Sequence, residues 1–181
     1  MDNTLGNVIG DSLSLSIGYA ERLLAGIDND QFGRLPHVGE QVIQSNHPAF
    51  IYGHLSLYAP KIIANLGGDP MDLPEGFENL FSKDAQCVDD PEQTLYPSRD
   101  VIVDAFFGGY RQVLEDIRNT SDAVLARDNP TPGRLRELFP TLGSMTAFYV
   151  GGHCMIHLGQ LSAWRRVMGL SLIHISEPTR P

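Results

Sequence analysis

Three observations predict an all-α fold, a four-helix bundle, for this chain of 181 residues. Four stretches of roughly 17–28 residues repeat apolar side chains at helical spacing. No strand-like alternation of useful length occurs, and segments rich in Pro, Gly and Asp separate the helical stretches. The length suits one domain with a proper core, spanning residues 1–169.

The first helix is expected from about Val8 to Ile27, with Ile9, Leu13, Ile17, Ala20, Leu23 and Leu24 on its apolar side. DNDQFGRLPHVGEQ ends it. The second begins at SNHPAF, where Asn46 or His47 can cap and Pro48 suits a first turn that needs no N–H. It runs through IYGHLSLYAPKIIANL to Gly67-Gly68, and Pro60 within it predicts a kink or a break. The stretch GGDPMDLPEGFENLFSKDAQCVDDPEQTLYP reads as an ordered excursion pinned to the body by Phe77, Leu80 and Phe81. A loop of that length in a compact domain often has a functional job.

The third helix follows YPSRD, with Ser98 as N-cap and a buried stripe of Val101, Ile102, Ala105, Phe106, Tyr110, Val113, Leu114 and Ile117. The connector DNPTPGRLRELFP has room for one helical turn. The last and longest helix is expected from Thr141 to about Met168, with an apolar face of Leu142, Met145, Phe148, Tyr149, Gly152, Ile156, Gly159, Ala163 and Val167.

Hydrophobic residues make up 42% and charged residues 19%, a globular profile. With 13 Lys+Arg against 22 Asp+Glu, the net charge is −9, which argues against nucleic acid or an anionic membrane surface as partner. MDNTLGNVIGDSL lacks the features of a secretory leader, and no apolar run has the length to cross a bilayer. Cys87 and Cys154 are far apart and form no CxxC, so a reducing cytoplasm is the expected home. The final string LSLIHISEPTRP, residues 170–181, resembles the translated read-through of a sequencing adapter. It is expected to be a non-native tail, which leaves His174 out of any site.

The chemistry concentrates in GGHCMIHLGQLSAW, residues 151–164, a stretch without a charged residue. His153 and His157 are an i, i+4 pair and share one helix face, expected to point inward with Tyr149, Ile156 and Gln160. Two buried neutral imidazoles must satisfy four ring nitrogens, and a divalent metal relieves that demand. HxxxH is a weak signal by itself, and hydrogen-bonded core or surface histidines are the commoner explanation of it. His54, on an apolar face of the second helix, is the third candidate ligand, because bundle cores build metal sites from facing helices. His47 lies two turns before His54 and suits a capping or outer role, while His37 sits in a loop. Cys154 stands where HExxH would carry its glutamate, so the pair is no metalloprotease signature and Cys154 reads as packing. Gly151, Gly152 and Gly159 would permit close approach of a helix or a ligand at this level.

NHPAFIYGHL and HCMIHLGQLSAWRRVMG, together with YPS before the third helix, resemble the DinB-like (DinB/YfiT-like) superfamily of metalloenzymes. The resemblance covers about residues 8–169. It implies a four-helix bundle, often a homodimer, with one divalent transition metal (Zn, Ni or Fe) held by His54, His153 and His157. Gln160 would line the pocket or orient His157, with His47 and Tyr149 nearby. The implied reactions are thiol S-transfer, with a low-molecular-weight thiol, or hydrolysis of a small molecule. A metal-stabilised bundle without catalysis, and a structural protein whose histidines bind nothing, are the other two readings.

Overall fold

Residues 3–171 are described by the computed structural model. Residues 1–2 and 172–181 lie outside the described residues, and with them His174 and most of the adapter-like string. In chain order the elements are α1 (Thr4–Leu23), α2 (Asn29–Phe32), β1 (His37–Val38), β2 (Gln41–Val42), α3 (Pro48–Ser56), α4 (Ala59–Leu66), α5 (Phe77–Phe81) and α6 (Arg99–Asn119). Then follow α7 (Asp122–Leu125), α8 (Arg134–Leu138), α9 (Leu142–Ala147), a π-helical turn (Phe148–His153) and α10 (Cys154–Val167). The architecture is all-α apart from the short antiparallel hairpin β1–β2, in which His37 pairs with Val42 and Val38 with Gln41.

α6 packs against α1, α3 and α4, and α10 packs against α1 and α3. Leu13, Leu23, Tyr52, Phe106, Tyr110, Leu158 and Trp164 fill the space between them. α1 starts at Thr4 rather than Val8 and ends at Leu23 rather than Ile27. Ile27 is buried, which is why it continued the pattern, but it lies in the turn after the helix. The buried guanidinium of Arg165 donates to the Leu23 and Ala25 carbonyls at 2.8 and 2.7 Å, satisfying acceptors that the helix end leaves open.

The second predicted helix is divided into α3 and α4. Pro60 has no N–H and its ring would meet the Ser56 carbonyl, so α3 stops at Ser56 and the chain restarts at Ala59. α4 ends on Gly67 at φ 89°, a left-handed cap that disfavours any side chain. α6 follows its Ser98 cap as expected, and its stripe is buried from Ile102 to Ile117 with Leu114 partly covered. Val101 instead faces solvent, on the outer side of the first turn. Phe77 and Phe81 pin the long excursion, with Leu80 partly buried.

The last helix departs most from expectation. Leu142 and Met145 are buried, but the stripe then continues through Val150, Cys154, Leu158, Leu161 and Trp164. A regular helix would have buried Tyr149, Gly152, Ile156, Gly159 and Ala163 instead. The π turn at Phe148–His153 adds a residue to one turn, and every later side chain rotates accordingly. Ile156 is therefore 59% exposed and Val167 41%.

His47 is the N-cap of α3. Its Nδ1 accepts the Phe50 N–H at 3.2 Å, and its Nε2–H donates to the Val88 carbonyl at 3.0 Å. Burial, opposed by the Val88 bond, holds its pKa down at about 4, against 6.5 for a free imidazole. A folded-state pKa below the unfolded one means that the unfolded chain takes up the proton first. Stability from this group is complete above pH 6.5 and is lost as pH falls towards about 4, at most about 3 kcal/mol. His47→Asn, which keeps a capping oxygen but does not titrate, is expected to flatten the decline in unfolding free energy across that window. Urea titrations at several pH values measure this, and an unchanged slope contradicts it.

Candidate metal centre

Three helical segments with different local causes bring the histidines together. α3 carries His54 as a nearly buried residue, 6% exposed. The π turn ends at His153, and α10 carries His157 one turn later. Each imidazole offers a ring nitrogen, and these nitrogens all lie within 4.8 Å of one another. Ring centroids are 5.5 Å apart for His54 and His153, 4.8 Å for His54 and His157, and 4.7 Å for His153 and His157.

The outer partners decide which nitrogen each ring turns inward. His54 Nδ1–H donates to the Phe81 carbonyl at 2.7 Å, leaving the lone pair of Nε2 for the cluster. His157 Nδ1–H donates to Gln160 Oε1 at 3.1 Å, and the same oxygen accepts from Asn46 Nδ2 at 3.1 Å. Backbone carbonyls and side-chain oxygens in these positions are what orient metal-binding imidazoles. His153 Nδ1 is buried without a hydrogen-bond partner among the described residues. With one ring nitrogen from each of three histidines within 4.8 Å, the donor set fits a divalent metal.

Burial lowers the pKa of all three histidines. His153 falls to about 3, with the neighbouring His157 and His54 adding to the effect. His157 is lowered by burial and by His54. His54 is lowered by burial, against the Phe81 bond. At neutral pH the three rings are therefore uncharged and have lone pairs to give. Aromatic rings wall the cluster. Tyr58 lies 4.5 Å from His153 between centroids, Tyr149 5.6 Å and Phe148 5.8 Å.

His54, His153 and His157 are brought together, with Gln160 on His157 and Tyr149 against His153. His47 has both nitrogens committed to backbone groups and has none to offer an ion. The shared inward face does not hold, because Ile156 and Gln160 are exposed and the histidines are half-buried on its flank. Of the three glycines, Gly151 is the buried one. A Cβ there would meet Ser12 Oγ of α1 at 3.1 Å, whereas one at Gly159 would meet nothing within 4 Å. Cys154 is buried packing with its thiol pushed up to about 12, and Cys87 is pushed up to about 11, both chiefly by burial. Neither is a ready nucleophile. Asn46, Tyr58 and the Phe81 carbonyl were missed as parts of the site. Tyr58 alone had a local signal, one turn after His54 on the same face.

Gly53 lets Phe81 reach its position, since a Cβ at residue 53 would come within 2.6 Å of three ring carbons of the fully buried Phe81. Gly53→Ala is expected to cost about 1–3 kcal/mol in urea unfolding, because that ring has nowhere to retreat. Gln160→Leu removes the acceptor on His157, and Zn²⁺ affinity by competition titration is expected to fall about 10–100-fold. An unchanged affinity would mean that Gln160 does not orient the ring.

No family model and no curated protein matches this chain.

Proposed function

We propose that this chain is a DinB-like four-helix bundle and a mononuclear metalloenzyme acting on a small molecule. Its ligands would be His54, His153 and His157, and its cofactor one divalent transition ion (Zn, Ni or Fe). The observation that carries this reading is the convergence of three imidazoles from α3 and the last helix, with one ring nitrogen of each within 4.8 Å of the others. When bound, such an ion lowers the pKa of a thiol or water and yields a nucleophile near neutral pH. The chain's own residues hold the geometry. Phe81 and Gln160 fix two rings, and the rings of Tyr58, Tyr149 and Phe148 form an aromatic wall.

Because full burial of Cys154 and partial burial of Cys87 disfavour both thiolates, a transferable sulfur would come from outside, which favours a low-molecular-weight thiol as co-substrate. The reaction class is then thiol transfer to an electrophile, with hydrolysis as its water counterpart. A homodimer is part of the proposal, supported by the outward apolar stripe of Ile156, Ala163 and Val167 between small glycines. A cytoplasmic location is supported by the two free cysteines. Among the described residues no helix is long and apolar enough to cross a membrane.

One observation favours a second reading, a metal-stabilised bundle with a binding or stress-response role. Among the described residues the charged side chains that act on His54 are Lys61 and Glu78, which are exposed and 3.9 Å from each other, so His54 has no buried carboxylate or ammonium beside it.

Elemental analysis of protein purified without a histidine tag is expected to find about one transition-metal equivalent per chain, lost in His54→Ala. Less than about a tenth of an equivalent after dialysis against Zn²⁺ or Ni²⁺ overturns both readings. Metal-dependent conjugation of glutathione, coenzyme A or bacillithiol to monochlorobimane, abolished in His54→Ala, supports the enzyme. Stoichiometric metal without turnover supports the binding role.

A further inference from the structure

The Tyr58 hydroxyl occupies a position that the three-histidine reading leaves unexplained. It lies 3.4 Å from His54 Nε2, the ring nitrogen that faces the cluster. That separation is long for a hydrogen bond from a phenol. It does match the edge of a tetrahedron, because two ligands at about 2.05 Å from one zinc-like ion stand about 3.3 Å apart. The ring is held from two further sides, 4.5 Å from His153 and 4.9 Å from Tyr149 between centroids. It is half-buried, beside the cluster rather than in the core.

The local backbone explains how a tyrosine comes to be there. Pro60 ends α3 at Ser56, and Tyr58 is the N-cap residue of α4. The turn is closed by i to i+3 bonds, from Leu57 N–H to the His54 carbonyl and from Tyr58 N–H to the Leu55 carbonyl. The hinge residue thus sits one tight turn beyond the histidine and on its side.

We infer that Tyr58 supplies the fourth ligand, an oxygen, to the ion proposed for His54, His153 and His157. This rests on the three-histidine reading and adds a residue to it. As the oxygen–metal bond forms, the phenolic O–H bond breaks and its proton leaves to solvent. An incoming thiol or water takes the tyrosine's place at the ion, and its proton returns to the phenolate oxygen. Atoms and charge balance in both steps. The resting centre would be closed by three nitrogens and one oxygen, and the incoming thiol or water would open it by displacing the oxygen.

Copper(II) is the probe, because it binds imidazole sites well and a bound phenolate gives it a charge-transfer band in the visible. The full-length chain with one Cu²⁺ is expected to show that band, to lose it in Tyr58→Phe and to keep it in Tyr149→Phe. Copper affinity in Tyr58→Phe is expected to fall about 10–100-fold by competition dialysis. Phenylalanine preserves the ring packing on His153. Resonance Raman of the wild-type chain tests for phenolate modes without any mutation. Stoichiometric copper with no such band or modes, or a band that survives Tyr58→Phe, overturns the tyrosine ligand alone. Failure to bind copper at all overturns the three-histidine reading and this inference with it.

Discussion

Inside the helical core a hydrogen bond of 2.7 Å runs from His54 Nδ1 to the Phe81 carbonyl, and two distant parts of the chain depend on it. Once Nδ1 carries the proton, the Nε2 lone pair has one direction to face, towards His153 and His157. The same bond satisfies a carbonyl at the end of α5, too short a helix to satisfy its own last acceptors. In net terms such a bond contributes about 1 kcal/mol, but either partner left buried and unpaired costs about 1–3 kcal/mol. The excursion is fixed at its other end too, where buried Asp90 accepts the N–H groups of Thr94, Leu95 and Tyr96. The loop between α4 and α6 is therefore a structural support for the imidazole.

Much of this was legible in the sequence where the signals are local. The His47-Pro48 start, the Pro60 break, the Gly67 stop and the Ser98 cap each depend on one residue's own backbone chemistry, and each marks an element boundary. The i, i+4 spacing of His153 and His157 is equally local. His54 was found because a histidine on an otherwise apolar face needs a partner for its nitrogens.

What could not be read is of another kind. The Phe81 carbonyl is a backbone group, present whatever residue stands at 81, so no side chain advertises it. Nothing local distinguishes Arg165 from Arg166 beside it, yet Arg165 is only 2% exposed and holds the end of α1. The register of the last helix failed for a physical reason. A period of 3.6 carried through Leu142 and Met145 leads to Tyr149 and Ile156, while the π turn leads to Val150 and Leu158. Such a turn has no propensity signature, since it is set by packing on both sides.

That lost register bears on what the site can do. Histidines at the centre of the buried stripe would be dry and inaccessible; on an outward face they would be protonated below pH 6.5 and hydrated. The π turn sets His153 and His157 on the flank, half-buried, where burial holds His153 at about 3 while both rings keep partial exposure. A metal-binding imidazole must be desolvated enough to stay neutral and open enough to exchange what it holds, and a regular helix that centred both histidines on the buried stripe would satisfy only the first demand.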